Sequence, residues 1–83
     1  MLIFSNRLLT LRKNHKLTQK QLADAIDANV RSIQFYEANQ RTPDIDALIK
    51  LAKFFNTSID YLVGLSDDPA PSRHRGGVSE IEE

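Results

Sequence analysis

"LTQKQLADAIDANVRSIQFYE", residues 17–37, holds two short helical patterns with almost nothing between them. Thr18 and Gln21 form a T-x-x-Q capping box: the threonine hydroxyl serves the third backbone N–H, and the glutamine side chain reaches back to the cap. Leu17 stands where a hydrophobic staple to Leu22 belongs, and Leu22, Ala23 and Ile26 then give one apolar face. Only Asp27, Ala28 and Asn29 separate this helix from the next, and Asn29 is a good cap for "VRSIQFYE". Counting about 100° per residue from Val30, Ile33 falls near 300°, Tyr36 near 240° and Glu37 near 340°. Arg31 lies near 100° and Phe35 near 140° on the same count. One face suits a core. The other sets Arg31 beside Phe35, whereas a short surface helix is ordinarily polar on its outer side.

The flanking sequence extends the same grammar. In "FSNRLLTLRKN", residues 4–14, Ser5 is expected to cap a helix whose buried stripe is Phe4, Leu8, Leu11 and Arg12, with Phe4 stapled to Leu9. After "VRSIQFYE" comes "ANQ", where Asn39 can take the left-handed conformation that closes a helix. Pro43 in "RTP" forbids a continuing helix, and Asp44 caps "IDALIKLAKFF", with an expected inner stripe of Ile45, Leu48, Ile49, Ala52 and Phe55. Ser58 caps a last short turn, "IDYLVG", stopped by Gly64. Five helices, no strand pattern and no internal repeat make an all-α domain over residues 4–65. From Ser66 the composition turns to "SDDPAPSRHRGGVSEIEE", read as a flexible acidic tail or linker over 66–83.

The chain has 83 residues, 41% of them hydrophobic, enough for one modest core. No stretch approaches the roughly 20 apolar residues of a membrane span, and "MLIF" is too short for a signal-peptide core, so the expected location is cytoplasmic. The absence of cysteine excludes disulfides and thiolate chemistry. His15 and His74 stand far apart without cysteine or an ordered carboxylate partner, which makes neither a metal site nor a catalytic pair. No phosphate loop or nucleophile motif occurs, so no enzyme, cofactor or small-molecule ligand is expected. The net charge of zero hides an asymmetry: residues 1–65 carry +3 and residues 66–83 carry −3. A basic body suits a polyanion, though weakly.

Two helices joined by a three-residue turn form a helix-turn-helix, here about residues 19–38. The stretch from Arg7 to Gly64 resembles the Cro-like phage repressor (XRE-type) family of transcriptional regulators. The matching pieces are R-L-x-x-L-R, L-T-Q-x-x-L-A, I-x-x-Y-E, R-x-P, L-x-K-L-A and D-Y-L-x-G, in order and at family spacing. Two departures stand out. Asp27 occupies the turn position where the family has glycine, and Asn39 replaces the usual glycine after Tyr36-Glu37; Asp in the left-handed conformation costs about 1 kcal/mol relative to glycine. The family also pairs an arginine and a glutamate at the places of Arg12 and Glu37, which implies a structural salt bridge rather than a site.

The resemblance implies a compact five-helix, lambda-repressor-like domain that binds double-stranded DNA with the second helix of the pair in the major groove. Carried over residue by residue, Val30, Arg31, Ser32, Gln34 and Phe35 become the base readers. Arg31 can make a two-pronged hydrogen bond to guanine, and Val30 and Phe35 can pack on thymine methyl groups. Thr18, Gln19, Asn29, Gln40, Arg41 and Thr42 become the phosphate contacts, and the free amides after the Thr18 cap suit an anion as well. Competing readings put Phe35 in a gap against the fourth helix or in a protein interface, leave Arg31 solvated, and let Gln19 merely cover its helix end. Specific affinity normally needs two half-sites, so a homodimer is expected through the last helix, with Ile59, Tyr61, Leu62 and Leu65 partly exposed and "MLI" adding to it. The function so implied is a repressor reading a palindromic operator. The alternatives are a restriction–modification controller or antitoxin of the same fold, or an interaction module that no longer reads DNA.

Overall fold

Four of the five helices start on a polar side chain that the sequence supplies in the right place. In the computed structural model, which describes residues 1–71, α2 (Gln19–Ala25) is capped by Thr18, α3 (Val30–Glu37) by Asn29, α4 (Ile45–Phe55) by Asp44 and α5 (Ile59–Val63) by Ser58. Each cap oxygen accepts from the backbone N–H three residues on, and at Thr18 both halves of the capping box are present. The first helix departs from expectation. α1 runs Leu2–Asn14 from a Met1 cap that makes no side-chain bond, so Ser5 lies inside it. The Ser5 side chain is buried, and its hydroxyl donates to the Tyr36 carbonyl, tying α1 to the end of α3. A small hydroxyl inside the helix is there to satisfy a carbonyl of a neighbouring one.

The helix ends share one geometry. Lys16, Asp27, Asn39, Asn56 and Gly64 all have positive φ, between 54° and 91°. At every end an N–H then reaches back five residues to a carbonyl: Leu17 to Arg12, Ala28 to Ala23, Gln40 to Phe35, Thr57 to Ala52 and Leu65 to Asp60, at 2.8–3.1 Å. That bond is the signature of a helix closed through a left-handed residue. Asp27 and Asn39 take the conformation expected of them; Lys16 and Asn56 take it as well.

α1 packs on α3 and α5, α2 on α3, and α4 on α5. Phe4, Leu8, Leu22, Ile33, Leu51 and Leu62 are fully enclosed, and Phe4 meets the Tyr36 ring edge-on at 5.8 Å. On α4 the buried residues are Leu48, Leu51, Ala52 and Phe55, whereas Ile45 is 61% exposed and Ile49 37%. The expected stripe is therefore rotated. Asp46, Lys50 and Lys53 fall on one side of α4 at about 100° per residue, and the face opposite them is the buried set. The expected stripe is centred too near that polar side, taking in Ile45 and Ile49 and leaving out Leu51. Leu62, expected to be partly exposed, is enclosed as well.

Two arginines lock the arrangement. Arg12 donates through Nε to Glu37 Oε2 at 2.6 Å, through Nη2 to Glu37 Oε1 at 3.0 Å, and through Nη1 to the Leu17 carbonyl at 2.8 Å. Both side chains are largely buried, 13% and 6% exposed. Arg7 lies over the Tyr61 ring at 4.2 Å, donates to the carbonyls of Tyr61 and Ser66, and pairs with the exposed carboxylate of Asp67. Thr57 donates to the Pro69 carbonyl, so residues 66–71, placed by the sequence reading in the tail, run along the helical body. Residues 72–83, with His74, lie outside the described residues.

Two measurements probe these ends and ties. Lys16→Gly removes the side chain that crowds a left-handed residue and is expected to stabilise by about 0.5–1 kcal/mol, net of the extra freedom of an unfolded glycine. For a domain of this size that is a rise in Tm of about 3–6 °C, read by circular dichroism. Glu37→Ala leaves Arg12 enclosed without its partner and is expected to cost about 3 kcal/mol in urea unfolding. The double change Arg12→Met with Glu37→Leu should recover most of that loss, because no unpaired charge remains.

Candidate nucleic-acid interface

α2 and α3 are joined through Ile26–Asn29, with Asp27 making the left-handed step. Ala23, at the helix–helix contact, and Ile33, on the inner face of α3, are both fully buried, which fixes how α3 leans on α2. That packing sets which α3 residues face outward. Arg31 and Gln34 are exposed; Ser32 and Phe35 are half-buried. Val30 is half-buried too and packs against the core, so part of its side chain serves the fold.

The outer residues form a connected group. The Arg41 guanidinium sits over the Phe35 ring, 4.7 Å from its centroid, and the Arg31 guanidinium lies over the same ring at 5.6 Å. Arg41 Nη1 also donates to the Ser32 hydroxyl oxygen at 3.2 Å. Three base-reading candidates and one phosphate candidate are therefore brought together around one ring. The Arg31–Phe35 contact follows from a four-residue helical spacing and was open to sequence reasoning. The approach of Arg41 was not, because it depends on the chain reversing at Asn39. Gln40, whose N–H closes α3 on the Phe35 carbonyl, and Thr42 are exposed beside it.

The remaining candidates lie at the two helix starts. Thr18 Oγ1 accepts from Gln21 N, and Asn29 Oδ1 accepts from Ser32 N. Gln19 Nε2 donates to Glu37 Oε1 at 3.1 Å. Each spends one polar function on the fold and keeps a donor: the Thr18 O–H, the Asn29 amide N–H groups, and the second N–H of the Gln19 amide. An anion needs donors of this kind. Gln19 thereby touches the Arg12–Glu37 pair, so its amide is oriented from beneath by a carboxylate that is itself held.

Tyr36 points the other way. Burial lifts its phenol above the ordinary value of 10.0, the nearby Asp44 carboxylate adds to the shift, and Arg41 opposes it. The side chain is a neutral core group. His15 packs edge-on against Phe55 at 4.9 Å with Nδ1 at the Leu11 carbonyl, a structural placement. Among the described residues, no three of His, Cys, Asp and Glu cluster as metal ligands would.

A family model described as helix-turn-helix matches residues 8–62, which includes all of α2, α3 and α4. An uncharacterized HTH-type transcriptional regulator of Bacillus subtilis, YobD, is 42% identical over 81 residues, 98% of this chain and 72% of that protein. The HTH-type transcriptional regulator ImmR of the same organism is 38% identical over 58 residues, 70% of this chain and 46% of that one. The cryptic phage CTXphi transcriptional repressor RstR of Vibrio cholerae is also 38% identical over 58 residues, 70% of this chain and 52% of that one. The chain thus spans about half the length of the last two. No solved structure matches it. With the caps, the short turn, the buried α2–α3 contact and these similarities together, the chain belongs to the XRE-type, phage-like helix-turn-helix family of DNA-binding transcriptional regulators, with the five-helix lambda-repressor-like fold, and not to a family of enzymes.

Proposed function

We infer that this regulator is a repressor that reads a palindromic operator as a dimer, with α3 in the major groove of each half-site. The observation that carries the reading is the outer face of α3, where Arg31 and Gln34 are exposed next to Ser32 and Phe35. Arg31 reads guanine through its paired N–H donors, Gln34 and Ser32 offer hydrogen bonds to neighbouring base edges, and Val30 and Phe35 offer apolar surface to thymine methyl groups. Thr18, Gln19 and Asn29 at the helix starts, with Gln40, Arg41 and Thr42 after α3, contact phosphates and fix the register of α3 on the duplex. The relatives' names carry both signs, RstR being by name a repressor and BcrR of Enterococcus faecalis by name an activator, and the repressor sign is the one proposed.

Dimerisation is proposed through α5 and the start of α1, which pack on each other. Its support is apolar surface: Leu65 is 80% exposed, Leu2 62% and Ile3 52%, with Ile59 and Tyr61 half-buried on α5. A single module buries little area on DNA, and two related by a twofold axis would reach half-sites about 34 Å apart. Among the described residues no helix is long and apolar enough to cross a membrane, in keeping with a proposed cytoplasmic site of action.

Selection from random duplexes with the whole chain at near-physiological salt tests this reading. The expected product is an inverted repeat, its half-sites one helical turn apart, with a guanine in each. Arg31→Ala should then lose about 1–3 kcal/mol of discrimination at that guanine. Arg41→Ala should instead weaken all sequences alike and lower the salt slope by about 0.9 for each phosphate it leaves without a counter-charge. Recovery of unrelated sequences bound only through charge would overturn the operator-reading proposal.

A further inference from the structure

The Phe35 ring carries two guanidinium groups, which gives it a role in recognition beyond apolar contact. Arg41 approaches the ring centroid to 4.7 Å and Arg31 to 5.6 Å, within the roughly 6 Å over which a cation is attracted to an aromatic face. Among the described residues, Arg7 and Arg12 pair with carboxylates, whereas Arg31 and Arg41 turn to this ring. Both always carry a positive charge, so sharing one ring sets two like charges near each other. An anionic surface relieves that cost. A guanidinium drawn to a ring rather than paired with a carboxylate also keeps N–H donors for guanine or phosphate: Arg41 spends Nη1 on Ser32 and has its other N–H groups left.

The backbone fixes the ring for this use. The Phe35 carbonyl accepts from Gln40 N at 2.9 Å, which closes α3 through left-handed Asn39 and reverses the chain. That reversal carries Arg41 back to the ring and to Ser32.

We propose that Phe35 is a positioning residue: its ring holds Arg31 on the base and Arg41 on the phosphate at a fixed separation, coupling base readout to backbone grip. The proposal rests on the groove-reading function given above for the same helix face. It separates the ring's π character, which serves the arginines, from its apolar surface, which a leucine also provides.

The test uses the whole chain and the selected operator, with Phe35→Leu, Phe35→Tyr, Arg31→Ala, Arg41→Ala and combinations of Phe35→Leu with the arginine changes. Affinity is measured against salt and against duplexes altered at the guanine. Phe35→Leu is expected to weaken operator binding about tenfold and to reduce both the guanine preference and the salt slope, while Phe35→Tyr restores all three. In a chain that already carries Arg31→Ala and Arg41→Ala, Phe35→Leu should add nothing. Should Leu lower the Tm, Phe35→Met serves in its place, and only variants that melt like the parent are compared. A full Phe35→Leu loss persisting without the two arginines would overturn the proposal. So would an operator with uracil in place of thymine that removes the difference between parent and Phe35→Leu, since the ring would then be reading methyl groups. Failure of the groove reading itself looks different: Arg31→Ala would leave the guanine preference of the parent untouched.

Discussion

The Glu37 carboxylate is the point through which three parts of the chain are registered. One oxygen takes the Arg12 Nε–H, and the other takes both an Arg12 Nη2–H and the Gln19 amide. Arg12 spends a further donor on the Leu17 carbonyl, in the loop between α1 and α2. The last residue of α3 is thereby tied to the end of α1, to that loop and to the first residue of α2. Apolar contact alone permits a short helix to slide or roll on its neighbours, because burial is nearly indifferent to small rotations. Directed, charge-assisted hydrogen bonds are not indifferent. The pair need not add net stability over an apolar substitute, but it selects one orientation of α3 relative to α2, and a recognition helix is of use only at one orientation.

A domain of helices 5 to 13 residues long also depends on how each one ends, since isolated helices of this length are marginal in water. Here each end is closed through a left-handed residue, and only one of the five is glycine. Gly64 has little alternative. A Cβ there would stand 3.0 Å from two Ile3 side-chain carbons, at a φ of +91° that L-residues rarely adopt. At Lys16, Asp27 and Asn56 the strain of the left-handed conformation is offset by the backbone bonds it completes. Asn39 has a second tie, accepting from the Met1 ammonium at 2.8 Å. The same closure that ends α3 delivers Arg41 to its outer face, so the stop signal is also part of the candidate site.

Much of this was legible in the residues because caps are local. Thr18, Asn29, Asp44 and Ser58 announce four helix starts through chemistry confined to three or four positions, and Pro43 and Gly64 mark breaks in the same way. The residues that escaped are those whose roles depend on a distant partner. Ser5 carries the same hydroxyl as a cap, but its acceptor is the Tyr36 carbonyl 31 residues away. α4 is a different case: the clustering of Asp46, Lys50 and Lys53 on one side already marks Leu48, Leu51, Ala52 and Phe55 as the inner face, and the expected stripe misses Leu51 by following the apolar residues rather than the polar ones. Lys16 carries no mark of a left-handed residue; the need to turn α1 into Leu17 and the Thr18 cap imposes it. The Arg12–Glu37 pair came from family likeness joined to a physical demand, that an acid on an inward face must have a partner.

The candidate interface divides its residues by how much of each is committed to the fold. Thr18, Gln19, Asn29 and Ser32 each have one polar function engaged in a cap, in the Glu37 node or with Arg41, and one donor left over. Changing any of them alters the scaffold as well as the outer surface; three of them, Thr18, Gln19 and Asn29, are the ones proposed above for phosphates, and Ser32 is proposed for a base edge. Gln34, exposed and making no side-chain hydrogen bond to the described residues, carries no such double duty. Among the described residues, Arg31 is tethered only through the Phe35 ring. Substitution at Arg31 or Gln34 should therefore cost little stability, and on the proposed reading it would change which bases are preferred. The part of specificity that this reading gives to Arg31 and Gln34 rests where the fold asks least of the side chain.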